Sequence, residues 1–570
     1  MVAMQVLSAA EMQACDRATT ERFGIPSIQL MRAASSAVAA FARQQFPRAR
    51  RATVLCGRGN NGGDGMMAAR LLADAGLEVT TLLLGAPESL TGDAAVAWSE
   101  LNNLNNPNNP KRGQIHVVTN AKTLAVHNDA LNTDLIVDAV LGAGFKPPLK
   151  GLALEALEWL RAGRASIPPP ILAPVLSIDL PSGWPADETS ATVAGPVFPA
   201  DAVITFTASK PAHLFGQLTR CWDQPVVVAP IGSPEAAIVS TLKLGWAGSS
   251  LALAQAPRAA AANKGNFGHV LVVGGTFGSA GGKAGAPTMA ALFAMRAGAG
   301  LVTAAVPAPA LAVVASFAPE LMTLPLTVTG TGQIAAKNTE KKRLAALMDA
   351  KTVLAIGPGL GQGAETAKFL TGLLSATKIP AVIDADALNI LATKPAFLKK
   401  LAKGRALVLT PHPGEMARLA GTTIAKVQAN RLETARDFAQ RMSVTLVLKG
   451  ARTLVAHPDG RVAINTSGNP GMAKGGSGDV LTGLIAGLLA QFPEDPAQAV
   501  EAAVYLHGLA ADFAVREGDE HTLLATDSLR QLAKAYQSRA HDFDADGKNG
   551  YVWLQGHCTR RTKAACSDSR

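Results

Sequence analysis

Tyrosine, tryptophan and cysteine are scarce in this sequence: three, six and five of them are spread over 570 residues. Cys15, Cys56, Cys221, Cys558 and Cys566 form no CxxC pair and no even framework, which excludes a disulfide scaffold or zinc ribbon and makes a reducing cytoplasm the expected compartment. The opening MVAMQVLSAAEMQACDR reaches Glu11 and Asp16 without a basic stretch followed by an apolar one, so no secretion signal is expected. Long apolar runs are missing too. The uncharged stretch Ala297 to Pro319 is broken by Gly298, Gly300, Pro307, Pro309 and Pro319, and reads as a buried strand followed by a short helix rather than a membrane span. No run of Lys and Arg is interleaved with aromatics, so neither nucleic acid nor a membrane is expected as a partner.

What is present is the balance of an Ala-rich globular enzyme: 48% hydrophobic residues, 17% charged and 54 glycines. The chain is too long for one core, since single cores stop growing near roughly 250–300 residues, so two domains are expected. A formal net charge of +10 favours anionic ligands without choosing among them.

Strand-length apolar runs recur, each followed by a Gly-rich turn and a stretch with helical spacing of apolar positions. That alternation predicts an α/β fold, two three-layer α/β/α domains built on parallel sheets. In the first half the expected strands are Thr53–Cys56, Val79–Leu84, Leu135–Val140, Val175–Asp179, Val203–Phe206 and Val226–Ala229. In the second they are His269–Val273, Leu301–Val306, Val353–Ile356, Ala381–Asp384, Leu407–Thr410 and Leu446–Leu448, followed by two long helices starting near Asp479 and Ala497. The expected domains are 1–237 and 263–537, joined by an Ala/Ser/Gly-rich linker at 238–262. The low-complexity NNLNNPNNP at 102–110 and the tail 538–570 are expected to be peripheral and disordered.

Two Gly-rich turns carry chemistry. GRGNNGGDG, residues 57–65, follows an expected strand and opens a helix, so its N–H groups point where a phosphate would sit. Such a turn also serves simply to pack a helix on a strand. Asp138 in LIVDAVLGAG and Asp179 in LSIDLPSGW fall at two more strand ends on the same edge, where parallel sheets bind ligands, although either could be a turn or cap residue. In the second half GGSGD opens an apolar helix within NTSGNPGMAKGGSGDVLTGLIAGLLAQF at 465–492. Gly475, Gly476 and Gly478 let successive N–H groups converge into an anion hole, and Asp479 in the first turn is placed to take a proton from an attacking hydroxyl. An Asp there could instead only complement the helix dipole.

In their order and spacing, VLSAAEMQACDRATTERFGIPSIQLM, NNGGDG, VDAVLGAG and DLPSG resemble the NAD(P)H-hydrate epimerase domain over roughly residues 5–235. That resemblance implies a Rossmann-like fold and a potassium ion held by Asn61, Asp138 and Ser182, the oxygen ligands a hard cation takes. It also implies substrate contacts from Asn60, Asn61, Gly62, Gly63 and Asp64, from Gly142, Ala143, Gly144, Phe145, Lys146, Pro147 and Pro148, and from Asp179, the expected catalytic acid/base. In the second half GGSGD is similar to the ribokinase superfamily. KGNFGHVLVVGG, GAP, MRAGAGLV, GPGLG, DADALN, TPHPGE and KGART narrow that to the ADP-dependent NAD(P)H-hydrate dehydratase family over about 255–535. The resemblance implies that Ala286, Gly359, His412 and the catalytic Asp479 contact the hydrated dinucleotide, and that Lys449, Gly450, Ala451, Arg452, Thr453 and Gly478 contact ADP, with Mg2+ accompanying it. For His412 a helix-capping role is the alternative, and Asp384, Asp386 and Asn389 are read as structural rather than as magnesium ligands.

Together the two halves imply a repair enzyme that epimerises hydrated NADH and NADPH and dehydrates one epimer, yielding AMP and phosphate from ADP; a homo-oligomer is expected. The sequence departs from the pattern at LMRAAS, GAG (142–144), KPA (210–212), NKGNFGH and Lys283, which bears on loop geometry. The rivals are a small-molecule kinase of the ribokinase type, to which GGSGD is equally suited, and a first half that binds without catalysing.

Overall fold

The computed structural model describes residues 4–103, 113–165, 172–278, 281–538, 541–542 and 550–556. It divides into two compact units, Lys243–Ser538 and Met4–Leu242, the latter joined by the C-terminal part of the chain.

In the first unit the parallel strands are β1 Arg51–Cys56, β2 Glu78–Leu84, β3 Gln114–Val118, β4 Leu135–Ala139, β5 Val175–Ile178, β6 Ala202–Phe206 and β7 Val226–Ala229, in the spatial order β3-β2-β1-β4-β5-β6-β7. Side chains alternate across a strand, so each strand feeds both faces. Val54 and Cys56 enter a core with the helices Ser27–Gln45 and Asn60–Asp74, whereas Leu55 enters another with the helix Leu152–Ala165. Strand order reverses between β1 and β4, and the crevice beyond their carboxyl ends is where such sheets bind ligands.

In the second unit the strands are β8 Leu244–Trp246, β9 His269–Val273, the hairpin β10 Phe277–Gly278 and β11 Gly281–Gly282, β12 Leu301–Pro307, β13 Met322–Leu326, β14 Val353–Ile356, β15 Ala381–Ile383, β16 Leu407–Leu409, β17 Thr445–Leu448, β18 Leu454–Ala456 and β19 Val462–Ile464. The main sheet runs β13-β12-β9-β14-β15-β16-β17-β18-β19-β8, parallel except where β18 pairs with β17 and β19. The two expected long helices are Ser477–Gln491 and Pro496–Glu517. Ala297 to Pro319 holds β12 and a short helix, Leu311–Ala315, and among the described residues no helix is long and apolar enough to cross a membrane.

Two expectations are corrected. The linker expected at 238–262 is folded. Ser240 and Thr241 bond to Val6 and Glu11 of the first unit, while β8 pairs with β19, and fully buried Trp246 donates to Thr466 Oγ1 at 2.8 Å. A three-residue strand is too short to show a period, which is why composition alone read it as linker. The tail expected to be disordered at 538–570 includes two strands, β20 His541–Asp542 and β21 Tyr551–Gln555. β21 pairs antiparallel with β7 and so belongs to the first unit's sheet. Tyr551 and Trp553 stack against Phe41 with ring centroids 5.4 and 6.0 Å away, and the Gln555 amide donates to Thr219 Oγ1 and the Gln224 carbonyl, both at 3.0 Å. The Asn-rich stretch lies, from 104 onward, outside the described residues, as does the end of the tail from 557.

Candidate active sites

The first site is assembled at the carboxyl ends of β1, β4 and β5. Asp138, fully buried in β4, accepts from Ser182 Oγ (2.6 Å), Ser182 N–H (2.8 Å), Ser177 Oγ (3.1 Å) and Val140 N–H (3.3 Å). Burial pushes its pKa up to about 6 against the pull of those donors. Asp179, just past β5, has a left-handed φ of 66°. Its Oδ1 accepts from Lys210 Nζ (2.9 Å) and Thr205 Oγ1 (2.8 Å), and its Oδ2 from the Ala143 N–H (2.7 Å). Burial alone would raise its pKa, but the charge of Lys210 and the hydrogen bonds from Lys210 and Thr205 outweigh it and hold the group down at about 2.

His213 braces this arrangement. Its Nδ1 accepts the Lys210 N–H at 2.9 Å, so the ring proton is assigned to Nε2, which donates to the Asp179 carbonyl at 2.7 Å. Burial and the neighbouring Lys210 push its pKa down to about 4, keeping it neutral. Gly142 is where the pieces meet: a Cβ there would stand 2.9 Å from Asp179 Oδ2 and 3.2 Å from Asn61 Oδ1. The Asn61 Nδ2 is buried and has no partner among the described residues. Because amide O and N are assigned from their partners, that orphaned position can equally present a carbonyl oxygen, which suits a cation.

Among the expected residues, Asn61, Gly142, Ala143 and Asp179 converge, and Asp138 and Ser182 are bonded to each other. Gly62 serves the loop itself, since a Cβ there would lie 1.9 Å from the Gly57 carbonyl, and Gly63 packs on Met31. Asn60 is exposed, Asp64 half-buried one turn on, and Gly144, Lys146, Pro147 and Pro148 run on as an exposed loop beyond half-buried Phe145. Lys210, Thr205 and His213 had no role in the sequence reading; the signal lay in SKPAHLF at 209–215, noted there only as a departure.

The second site lies at the carboxyl ends of β15, β16 and β17. Asp384 Oδ1 accepts from Lys449 Nζ and Thr410 Oγ1, both at 2.8 Å, and its Oδ2 from Thr482 Oγ1 at 3.0 Å. Asp386 accepts from the Gly361 N–H (2.9 Å) and Gln362 Nε2 (2.7 Å), and Asn389 from Arg418 (2.8 Å). A cavity of about 410 Å³ is lined by Lys283, Ala286, Gly359, Asp386, Asn389, Glu415 and Asp479, among others, so three expected substrate contacts share one space. His412 is not among its lining. It caps the helix Pro413–Ala420, its Nδ1 accepting the Gly414 N–H at 3.0 Å while its backbone N–H holds Glu415 Oε2 at 2.9 Å.

Asp479 stands in the first turn of Ser477–Gln491, which begins after Gly476 at φ 97°. Burial and the charge of Asp384 raise its pKa; Lys449 opposes, Asp386 adds and Lys283 opposes, leaving it at about 6, the range a general base needs. Lys449 keeps its proton because Asp384 and Glu415 override burial. A Cβ on Gly478 would lie 3.2 Å from Lys449 Nζ, so the two expected nucleotide contacts adjoin. Arg431 shapes the 449–453 loop by donating to the carbonyls of Ala451 (2.5 Å), Leu448 (3.3 Å) and Lys449 (3.4 Å). Arg452 is held at φ 54°, and Thr453 Oγ1 donates to the Gly450 carbonyl at 2.9 Å. His507, bonded to the Ser477 backbone and pushed down to about 4 by burial and Lys449, went unnoticed because a lone His on an apolar helix carries no pattern.

Comparison with known proteins bears on both halves at once. A family profile described as YjeF-related protein N-terminus matches residues 27–212, and one for NAD(P)H-hydrate dehydratase matches 270–534. A bifunctional NAD(P)H-hydrate repair enzyme of Moorella thermoacetica is 40% identical across 92% of this chain and 95% of its own length. The chain belongs to that family. Bifunctional NAD(P)H-hydrate repair enzymes of Coxiella burnetii and Escherichia coli (strain K12) are each 36% identical, over 89% and 93% of this chain and 95% and 94% of theirs. A crystal structure of ADP/ATP-dependent NAD(P)H-hydrate dehydratase from Bacillus subtilis, co-crystallised with ATP/Mg2+, aligns at 31% identity and TM-score 0.42, covering 50% of this chain and 96% of that one. In this NAD(P)H-hydrate repair enzyme, each half of the family pattern thus falls on one folded unit with one site at its strand ends.

Proposed function

We propose that the first unit interconverts the R and S forms of hydrated NADH and NADPH, and that the second dehydrates the S form at the expense of ADP, giving AMP and phosphate. The observation that carries the second activity is the joint lining of one cavity by Ala286, Gly359 and Asp479, with Lys449 against Gly478 beside it. Asp479 takes the proton from the C6 hydroxyl as its oxygen attacks the terminal phosphoryl group of ADP and AMP leaves; phosphate then departs from C6 as the C5–H bond gives up its proton to water and the C5=C6 double bond forms. The N–H groups of Gly476 to Gly478 and the Lys449 ammonium meet the charge that develops. Mg2+ accompanying ADP would neutralise the charge of its phosphates.

In the first unit the orphaned amide of Asn61 fits a potassium ion that Asn61, Asp138 and Ser182 would hold, and such an ion would supply a positive charge at the crevice where a dinucleotide phosphate would lie. Asp179 faces the substrate ring there as a carboxylate fixed in place by Lys210, Thr205 and Ala143.

The test is recovery of dihydronicotinamide absorbance from a mixture of both hydrate epimers with K+, Mg2+ and ADP or ATP. Wild type is expected to recover both epimers and Asp479→Ala neither; Asp179→Ala is expected to recover only the S share above the spontaneous rate. No recovery by wild type with either nucleotide overturns the repair reading, and accumulation of a stable phosphorylated product favours the kinase instead.

A further inference from the structure

Asp179 was expected to be the group that moves protons in the first site. Its surroundings leave it little room to do so: Oδ1 holds a buried lysine and a buried threonine, and Oδ2 holds the Ala143 N–H. Protonating it would leave the Lys210 ammonium, whose side chain is 3% exposed, without its counter-charge. We infer that Asp64 is the proton-carrying residue of the epimerase site and that Asp179 acts there as a fixed anion. This rests on the epimerase reading above and deepens it.

Placement supports the assignment. Asn61 and Asp64 are three apart in the helix Asn60–Asp74, so they share a face, and Asn61 reaches the point on Gly142 at which Asp179 Oδ2 arrives. The Asp64 carboxyl has no hydrogen bond or ion pair among the described residues, so nothing ties up its proton. The charged groups that bear on it are all acids, Asp179, Asp16 and Asp93. With burial the larger cause, they push its pKa well above the ordinary carboxylate range. Two carboxyls in one site driven in opposite directions are the signature of divided roles.

The hydrate carries its hydroxyl on the carbon bonded to the ring nitrogen. Asp64 gives its proton to that oxygen, the C6–O bond breaks and water departs, and the nitrogen lone pair forms a C6=N bond. The resulting cationic ring lies opposite the Asp179 carboxylate. Water then adds to the other face of C6 and gives its proton to the surrounding water, which returns a proton to Asp64, and the C=N pair returns to nitrogen. One water leaves and one enters, and no electrons are exchanged.

The experiment uses the full chain without nucleotide, so that the dehydratase is silent, and follows epimer interconversion by chromatography together with uptake of 18O from labelled water at C6. Asp64→Asn is expected to lower kcat for both processes by about 100-fold or more, with melting temperature near wild type, and Asp64→Glu to recover part of the rate. Asp179→Asn is expected to slow the reaction yet keep a high-pH decline in kcat, moved to lower pH because one of the charges raising the Asp64 pKa is gone. Interconversion by Asp64→Asn at the wild-type rate, or a decline that disappears in Asp179→Asn, overturns the assignment while leaving the epimerase intact. Wild type no faster than the spontaneous rate overturns the epimerase reading itself.

Discussion

Lys210 is the residue on which the first site most depends. It is buried, donates to Asp179 and to Thr205 Oγ1 (2.8 Å), and lends its backbone N–H to His213. Lys210→Met leaves a buried carboxylate unpaired and is expected to cost about 3–5 kcal/mol, measured by urea unfolding followed in the first unit. The pair's pH signature has a definite sign. Asp179 is lowered from 3.8 to about 2 in the fold, so its contribution is complete above 3.8 and lost as pH falls toward about 2; in Lys210→Met that acid-side slope should flatten. For Asp479, raised to about 6, the dehydratase kcat should decline as pH falls through about 6, and Lys283→Ala should move that limb to higher pH by removing a charge that favours ionisation. Limbs that coincide in the two proteins would count against Asp479 as the base. At this scale sequence reading reached as far as local pattern does. Asn61, Asp138 and Asp479 sit inside recognisable turns, whereas Lys210 meets Asp179 across 31 residues and His507 meets Ser477 from another helix, neither of which spacing reveals.

Helix Ser477–Gln491 and helix Gly285–Ala297 lie unusually close. A Cβ on Gly483 would be 2.1 Å from the Ala290 carbonyl, and one on Gly487 would be 2.7 Å from that of Ala294. This contact sets Asp479 against Ala286 across the cavity, so Gly483→Ala, by wedging the helices apart, is expected to cost about 1–3 kcal/mol and to reduce kcat as well. Unchanged activity with lowered stability would show that the register of the two helices does not matter to the chemistry. Elements with four or more consecutive apolar residues between turn signals, β7, β9 and β14 among them, were legible in advance. Among the missed ones are β3 and β13, half-exposed at sheet edges, and β8, β18 and β19, each three residues long, which build strands from context rather than period.

The first unit is discontinuous in sequence: Met4–Leu242 is completed by β21, with Trp553 2% exposed in its core. Cutting the gene after Leu242 would therefore yield not a free-standing domain but a sheet with β7 bare along one side and a hole where Trp553 was. Trp553→Ala in the full chain is expected to cost about 3–5 kcal/mol, lowering the melting temperature of the first unit and not that of the second. A fragment ending at Leu242 is expected to self-associate through its open edge, as light scattering would detect, whereas a monodisperse fragment with the full-chain melting temperature would show β21 to be ornamental. Two α/β units and their order were legible from the alternation of strands and helices; the return of the chain was not, because a five-residue strand at the end of a charged, Gly-containing tail has no local counterpart to pair with.

That return also fixes an order of events at the ribosome. The strand that closes the first unit is translated after the whole of the second, so the half of the protein that emerges first is finished last. A nascent chain released before β21 would carry a complete dehydratase unit beside an epimerase sheet with an open side.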